Sequence, residues 1–263
     1  MQRMAYTGYI RFGADPHTIV TGLTNFPRVA QVLMLLSLLL AVAGCEKDKS
    51  FDQHLAAARQ HIAKAEHELA LVELKGALRQ DSQSGEARWL LGQAYLNSGD
   101  PASAEKELRK SLALGWDRND VIPALTESLL STQQYGEVLE LQDTGLAVSA
   151  RAELLAGQAL AQKAAGDRYE AMALVDQALE LAPESITALL ARARILVGER
   201  DFSAAQLILE QVIDSEEDNQ AAWSLMGDVD VGLKQPGPAL AAYDRALSLR
   251  QADQHTRLRR ALL

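Results

Sequence analysis

Thiol, imidazole and clustered carboxylate are the side chains that most readily hold metals or attack carbon. This sequence spends them sparingly: one cysteine, Cys45, and five histidines in 263 residues. A lone thiol makes no internal disulfide, and a closed four-ligand zinc site needs more partners than scattered histidines supply. His54, His61 and His67 gather in one stretch, yet seven positions along a helix span about 10.5 Å, too far for His54 and His61 to share an ion as an i, i+4 pair does. They read as solvated or partly packed side chains. Acidic Ser215-Glu216-Glu217-Asp218-Asn219 lacks the glycine and ligand spacing of a calcium loop and reads as a turn between structural units. No glycine-rich phosphate loop, GxSxG elbow, HExxH helix or CxxC pair occurs, so the sequence predicts no catalytic centre, no metal and no cofactor.

Composition narrows the class further. The formal charge of -9 opposes binding to a phosphate backbone, which takes a basic surface, so nucleic acid is not an expected partner. Hydrophobic residues make up 48% of the chain but aromatics only 5%. Dense alanine and leucine suit closely packed helices better than a sheet, and the expected fold class is all-α. Trp89, Trp116 and Trp223 read as fillers between helices, with ligand anchoring as the alternative. Arg192, Arg194 and Arg200 form a local basic cluster on an acidic chain, either a solvated helix face or a contact for an acidic partner segment.

The sole thiol sits where a greasy run turns into charge. From Val29 to Ala43 nearly every residue is apolar, with Arg28 just ahead. That is the hydrophobic core of a signal peptide, shorter than the roughly 20 apolar residues of a membrane span. Val42-Ala43-Gly44-Cys45 resembles the bacterial lipobox, in which small side chains admit the peptidase and the cysteine accepts diacylglycerol. The resemblance implies that Cys45 begins the mature chain and anchors it in a membrane. Glu46 is not the aspartate associated with inner-membrane retention, which favours the outer membrane of a Gram-negative cell, facing the periplasm. Residues 1–27 are neither an n-region nor a domain, and initiation at a GTG codon for Val20 would give a signal peptide of ordinary length. Residues 45–50 make a tether.

Beyond it the sequence repeats. Ala70, Ala104, Val138, Ala171, Ala205 and Ala239 are spaced 34, 34, 33, 34 and 34 apart. Ala58, Gly92, Thr126, Ala159, Ala193 and Gly227 keep the same step, as do Leu78, Leu112, Leu146, Leu179, Ile213 and Leu247. Leu91-Gly92, Tyr95, Gly99-Asp100, Ala104 and Leu112 resemble one tetratricopeptide repeat, and Trp223, Met226-Gly227, Ala239, Tyr243 and Ala246-Leu247 another. Pro183 closes the fourth unit. The resemblance implies a right-handed superhelical solenoid of antiparallel helix pairs in six units, at 51–84, 85–118, 119–151, 152–185, 186–219 and 220–253, with 254–263 as the start of a truncated seventh. Ser98-Gly99-Asp100-Pro101 reads as a helix stop, cap and restart. Arg88, Gln158, Gln162 and Asp230 depart from the family pattern.

Such solenoids hold peptides or protein surfaces in a concave groove lined by first-helix side chains. The expected groove residues are Arg59, Glu86, Trp89, Gln93, Asn97, Glu127, Leu190, Arg194, Ser224 and Asp228. The lysine and asparagine of a carboxylate clamp are missing from the comparable sites. "ELKGAL", "EARWLLGQAYL" and "AEKELRKSLALG", within residues 69–115 and downstream of Cys45, resemble the TPR-repeat lipoproteins of the PEP-CTERM and exosortase system (PrsT-like). That similarity implies a non-enzymatic scaffold for exopolysaccharide production or export, or for sorting of PEP-CTERM proteins, with protein or peptide partners from those systems. A general periplasmic chaperone or outer-membrane assembly lipoprotein is the alternative. A saccharide-binding module would need exposed aromatic platforms.

Overall fold

The structure, a computed structural model, describes residues 49–250 and 253–263. Val42, Ala43, Gly44 and Cys45, with the whole signal and most of the tether, lie outside the described residues. Ser50 opens the fold: its hydroxyl accepts from the Gln53 amide while its own amide donates to the Gln53 side chain, a reciprocal pair that starts α1 (Phe51–Ala63). Antiparallel pairs follow: α1 with α2 (His67–Gln80), α3 (Gly85–Ser98) with α4 (Pro101–Ala113), and α5 (Arg118–Ser131) with α6 (Tyr135–Glu140). Next come α7 (Val148–Ala165) with α8 (Arg168–Leu181), α9 (Ile186–Gly198) with α10 (Phe202–Ser215), α11 (Gln220–Gly232) with α12 (Pro236–Leu249), and a last helix, α13 (Gln254–Ala261), against α12. Among the described residues there is no strand.

Local chemistry sets these boundaries. Gly99 ends α3 at φ 84°, Asp100 accepts from the Ser103 amide at 3.0 Å, and Pro101 occupies the first turn of α4. Asp167 and Asp201 cap α8 and α10 in the same way, while Ser84, Ser185 and Asn219 cap α3, α9 and α11. The turn inside every hairpin passes through the left-handed region at Ala65, Gly99, Gln133, Gly166, Arg200 and Lys234. These positions keep the repeat step although only two of the six are glycine.

Packing follows the small-residue ladders. Ala70, Ala104, Val138, Ala171, Ala205 and Ala239 are all fully buried, as are Ala58, Ala159 and Ala193 of the second series. Gly92 shows why: a Cβ there would stand 2.6 Å from Leu108 Cγ, so α3 and α4 meet only because that atom is absent. Four apolar clusters, each shared between neighbouring pairs, replace a single centre. No pair buries its apolar faces alone.

The third ladder lies at the edge of the core. Leu78, Leu112, Leu179, Ile213 and Leu247 are half-buried, and the residue before each (Ala77, Ser111, Ala178, Val212, Ala246) is the fully buried one. Leu146 is not on a helix: α6 stops at Glu140, Leu146 donates to the Asp143 carbonyl in a turn, and Gly145 adopts φ 78°. Polar Gln142-Asp143-Thr144-Gly145 breaks the run, and α7 starts at Val148, earlier than the expected boundary at 152. Gln158, an oddity in the sequence, explains itself here by donating to the carbonyls of Val138 and Leu141 at the end of the short helix, at 3.3 and 3.1 Å. Arg88, equally out of pattern, bonds the Ser82 carbonyl and pairs with Glu107 at 2.5 Å.

Candidate functional site

Helices α3, α5, α7, α9 and α11 pack in succession, each against the next. On α3, α5, α9 and α11 the side chains one residue after and three residues before the small ladder position form a wall, which α7 continues with Glu153, Gly157 and Leu160. Between α3 and α9 this wall encloses a groove of about 580 Å³ that contains Trp89, Gln93, Asn97, Glu127, Leu190 and Arg194. Arg194 also borders a second concavity of about 700 Å³, which holds Ser224 and Asp228 and is closed on one side by Arg259 of α13. Arg59 and Glu86 border neither. They pair with each other and tie α1 to α3.

The two concavities have different chemistry. In the second, the carboxylate is matched: Asp228 accepts from Tyr243 Oη at 2.8 Å and from Arg259 at 2.6 Å, while Lys163 donates to the Arg194 carbonyl at 2.9 Å. Ser224 and Thr256, both buried, share a 2.6 Å hydrogen bond that holds α13 to α11. Burial pushes the Asp228 carboxyl up, and burial together with the Asp228 bond pushes the Tyr243 phenol up. In the first, Glu127, Glu153 and Arg194 lie within 4.0 Å of no opposite charge among the described residues. Confinement by the groove walls raises the Glu127 carboxyl, with the charges of Arg250 and Arg194 opposing. The Glu127 side chain still has open surface, so this is desolvation by a concave wall and not enclosure. Glu153 is raised by the same confinement and then by the negative charge of Glu127.

Sequence reasoning missed Glu153. It occupies the same slot in its repeat as Asp52, Glu86 and Asp120, six residues before the small ladder position, and that acidic row was the available signal. Asp120 organises the aromatic end of the groove: its carbonyl accepts from Trp89 Nε1 and its carboxylate from Trp116 Nε1, both at 3.1 Å. The two indoles stack with centroids 6.1 Å apart. Trp223 lies elsewhere, half-buried and bonded to the Glu217 carbonyl at 2.8 Å. Also unforeseen is Arg250, which follows α12 yet reaches the carbonyls of Leu96 and Asn97 at the end of α3, at 3.4 and 3.0 Å. A guanidinium there matches the negative end of that helix and links the sixth pair to the second.

The predicted arginine cluster is not one surface. Arg192 pairs with Asp176 of α8 at 3.2 Å, Arg194 faces the groove, and Arg200 sits in the left-handed hairpin turn. His54 bonds Glu73 at 2.7 Å and lies over Gly76, where a Cβ would fall 2.5 Å from its ring; His61 bonds Glu66 at 2.6 Å. His67 stands apart, its Nδ1 buried without a partner. Among the described residues no group of three or more His, Cys, Asp or Glu is placed to hold a metal. The groove side chains are suited to holding a polymer segment: an indole edge, carboxamides, half-buried leucines and unpaired charges.

Residues 61–117 and 162–229 match the tetratricopeptide repeat family model. The fold is a tetratricopeptide-repeat solenoid. A structure from a functional characterisation of Pseudomonas aeruginosa PilF is similar at 20% identity and a TM-score of 0.51, over 81% of this chain and 97% of that one. The APC/C hetero-tetramer Cut9–Hcn1 contains a chain similar at 14% identity and a TM-score of 0.58, over 88% of this chain and 45% of that one. At such identities the likeness speaks for the fold alone. No curated protein matches the sequence. Tetratricopeptide repeats bind protein or peptide partners, and the groove along α3 to α11 is the face that this fold offers for doing so.

Proposed function

We propose that the protein is a non-enzymatic scaffold, anchored through lipid on Cys45 to the outer membrane and facing the periplasm, that gathers protein partners for exopolysaccharide export or for exosortase-linked sorting of PEP-CTERM proteins. The observation that carries the binding role is the continuous inner wall of α3, α5, α7, α9 and α11 with its unmatched charges. Natural surfaces match most of their charges locally, as this protein does on Arg109, Arg168 and Arg245, and those left unmatched in a concavity are free for a partner. The resemblance of residues 69–115 to exosortase-system lipoproteins supports the choice of system, and the hydrophobic run ending at Cys45 supports the anchor.

Crosslinked pulldown from membranes of the native host, with wild type and a charge-reversed groove, tests the role. Enrichment of polysaccharide-export or exosortase components by the wild type alone is the expected result. Enrichment of barrel-assembly components in their place would transfer the scaffold to outer-membrane protein assembly. Labelled palmitate should enter the wild type and not Cys45→Ser, and equal labelling would reject the anchor. A saccharide role is disfavoured because Trp89 and Trp116 stack on each other and all three indoles are half-buried, which leaves no flat platform.

A further inference from the structure

Resting on that reading, we propose that the groove between α3 and α9 takes an extended segment of a partner protein that carries a lysine or arginine beside apolar residues, the cationic side chain seating at Glu127 and Glu153. The argument is charge complementarity within one groove. Asp120, Glu127 and Glu153 give its walls three carboxylates against the guanidinium of Arg194, with that of Arg250 bonded at the end of α3. Asp120 is already engaged by Trp116, whereas Glu127 and Glu153 meet no opposite charge within 4.0 Å among the described residues. The two lie on adjacent first helices, α5 and α7, and Glu127 is near enough for its charge to disfavour ionisation of Glu153. A cation between them offsets both the mutual repulsion and the desolvation.

The chain provides its own example of such a cation. Arg250 crosses from the sixth helix pair to the end of α3, where Leu96 and Asn97 line the groove, and its charge is felt at Glu127. A guanidinium is therefore accommodated near Glu127, while Glu153 has no opposite charge within 4.0 Å among the described residues. Leu130, Leu160 and Leu190, each half-buried on the same wall, supply the apolar ledge for residues flanking the basic one. Arg194, on α9 and near enough for its charge to act on Glu127, sets the polarity: it repels a second basic residue placed toward α9 and so limits the segment to one cation.

The test uses the full chain and blocked heptapeptides Ser-Ala-Leu-X-Leu-Ala-Ser, with X as Lys, Arg, norleucine or Glu, titrated by calorimetry with Trp emission in parallel. The Lys and Arg peptides should bind at least about tenfold more tightly than the norleucine peptide, and Glu127→Gln with Glu153→Gln should remove that preference, the scale expected for a charge-assisted hydrogen bond. Equal affinity for all four peptides, no binding of any, or a preference that survives the double substitution would overturn the proposal. Preference for the Glu peptide, abolished by Arg194→Ala, would overturn it while sparing the scaffold reading, which the pulldown tests separately. Circular dichroism of each variant confirms folding, and Arg59→Ala, outside the groove, should leave the preference intact.

Discussion

Replacing Gly227 by alanine sets two physical effects against each other. In the middle of α11 the change raises helix propensity by about 1 kcal/mol. The added methyl would, however, stand 2.3, 2.5 and 2.8 Å from Cε1, Cδ1 and Cζ of Tyr243, more than about 0.7 Å inside normal carbon contact. The ring cannot swing aside. It is 1% exposed, and its hydroxyl is held by Asp228 at 2.8 Å. Either α12 moves away from α11 or the phenol leaves the carboxylate. Overpacking of this kind costs about 1–3 kcal/mol, and a strained hydrogen bond to a charged group adds up to about 1.5–3 kcal/mol. After the propensity gain, a net loss of about 2 kcal/mol is expected, which lowers Tm by about 4–8 °C. Urea and thermal denaturation followed by circular dichroism measure it, and emission of Trp223, on α11 itself, reports local opening. Gly237→Ala is the control, since no atom lies within 4 Å of its Cβ position; it should be neutral or slightly stabilising. A second arm repeats Gly227→Ala in a Tyr243→Ala background, where the ring is gone and the substitution should become favourable, giving a coupling energy above about 1 kcal/mol. If Gly227→Ala is as stable as wild type with Tyr243 present, close approach through absent side chains is not what sets the helix spacing.

Gly99→Ala should also destabilise, by about 1 kcal/mol, but for a backbone reason: nothing lies within 4 Å of its Cβ position, yet φ is 84°; Ala65→Gly, at φ 56°, should be neutral or stabilising, and denaturation midpoints compare the two. Asp100→Ala should cost about 1 kcal/mol through loss of the α4 cap. Hydrogen bonding from Ser103 holds the Asp100 carboxyl below its usual 3.8, so its share of stability is present above that value and is lost as pH falls through the lower folded value; Asp100→Asn should flatten this acid limb while retaining most of the cap. Glu127 has the opposite sign: its folded pKa lies above the usual 4.5, so stability falls as pH rises from there through the raised value. Glu127→Gln should therefore be more stable than wild type at pH 7 and equal to it at pH 4, by no more than about 0.5 kcal/mol because the side chain is screened by solvent; parallel melts at the two pH values check it.

Much of the architecture was legible because a solenoid is nearly one-dimensional. The main helix packing joins each hairpin to itself and to the next, so a step of 34 in small residues transmits the fold directly, and Ala70, Ala104 and Gly92 proved buried for the reason the spacing implied. The helix stop at Gly99-Asp100-Pro101 is likewise local chemistry written in adjacent residues. Where local chemistry and period disagreed, the period misled: Leu146 kept step while the polar turn before it ended α6. The acidic row that holds Glu153 is broken by Thr187 and Ala221 in the last two repeats, which hides it as a periodic signal.

The sequence by itself determined the helical class, the repeat length, the caps and the row of residues one position after each small one. Only the tertiary structure decided which charges of the first helices remain unmatched. Arg59 and Glu86 neutralise each other, Asp228 is claimed by Tyr243 and Arg259, and Glu127, Glu153 and Arg194 are left facing the groove. Side-chain reach across neighbouring helices decides this, together with the path of the stack that returns Arg250 to the end of α3. Neither quantity is periodic, and neither is encoded within one repeat.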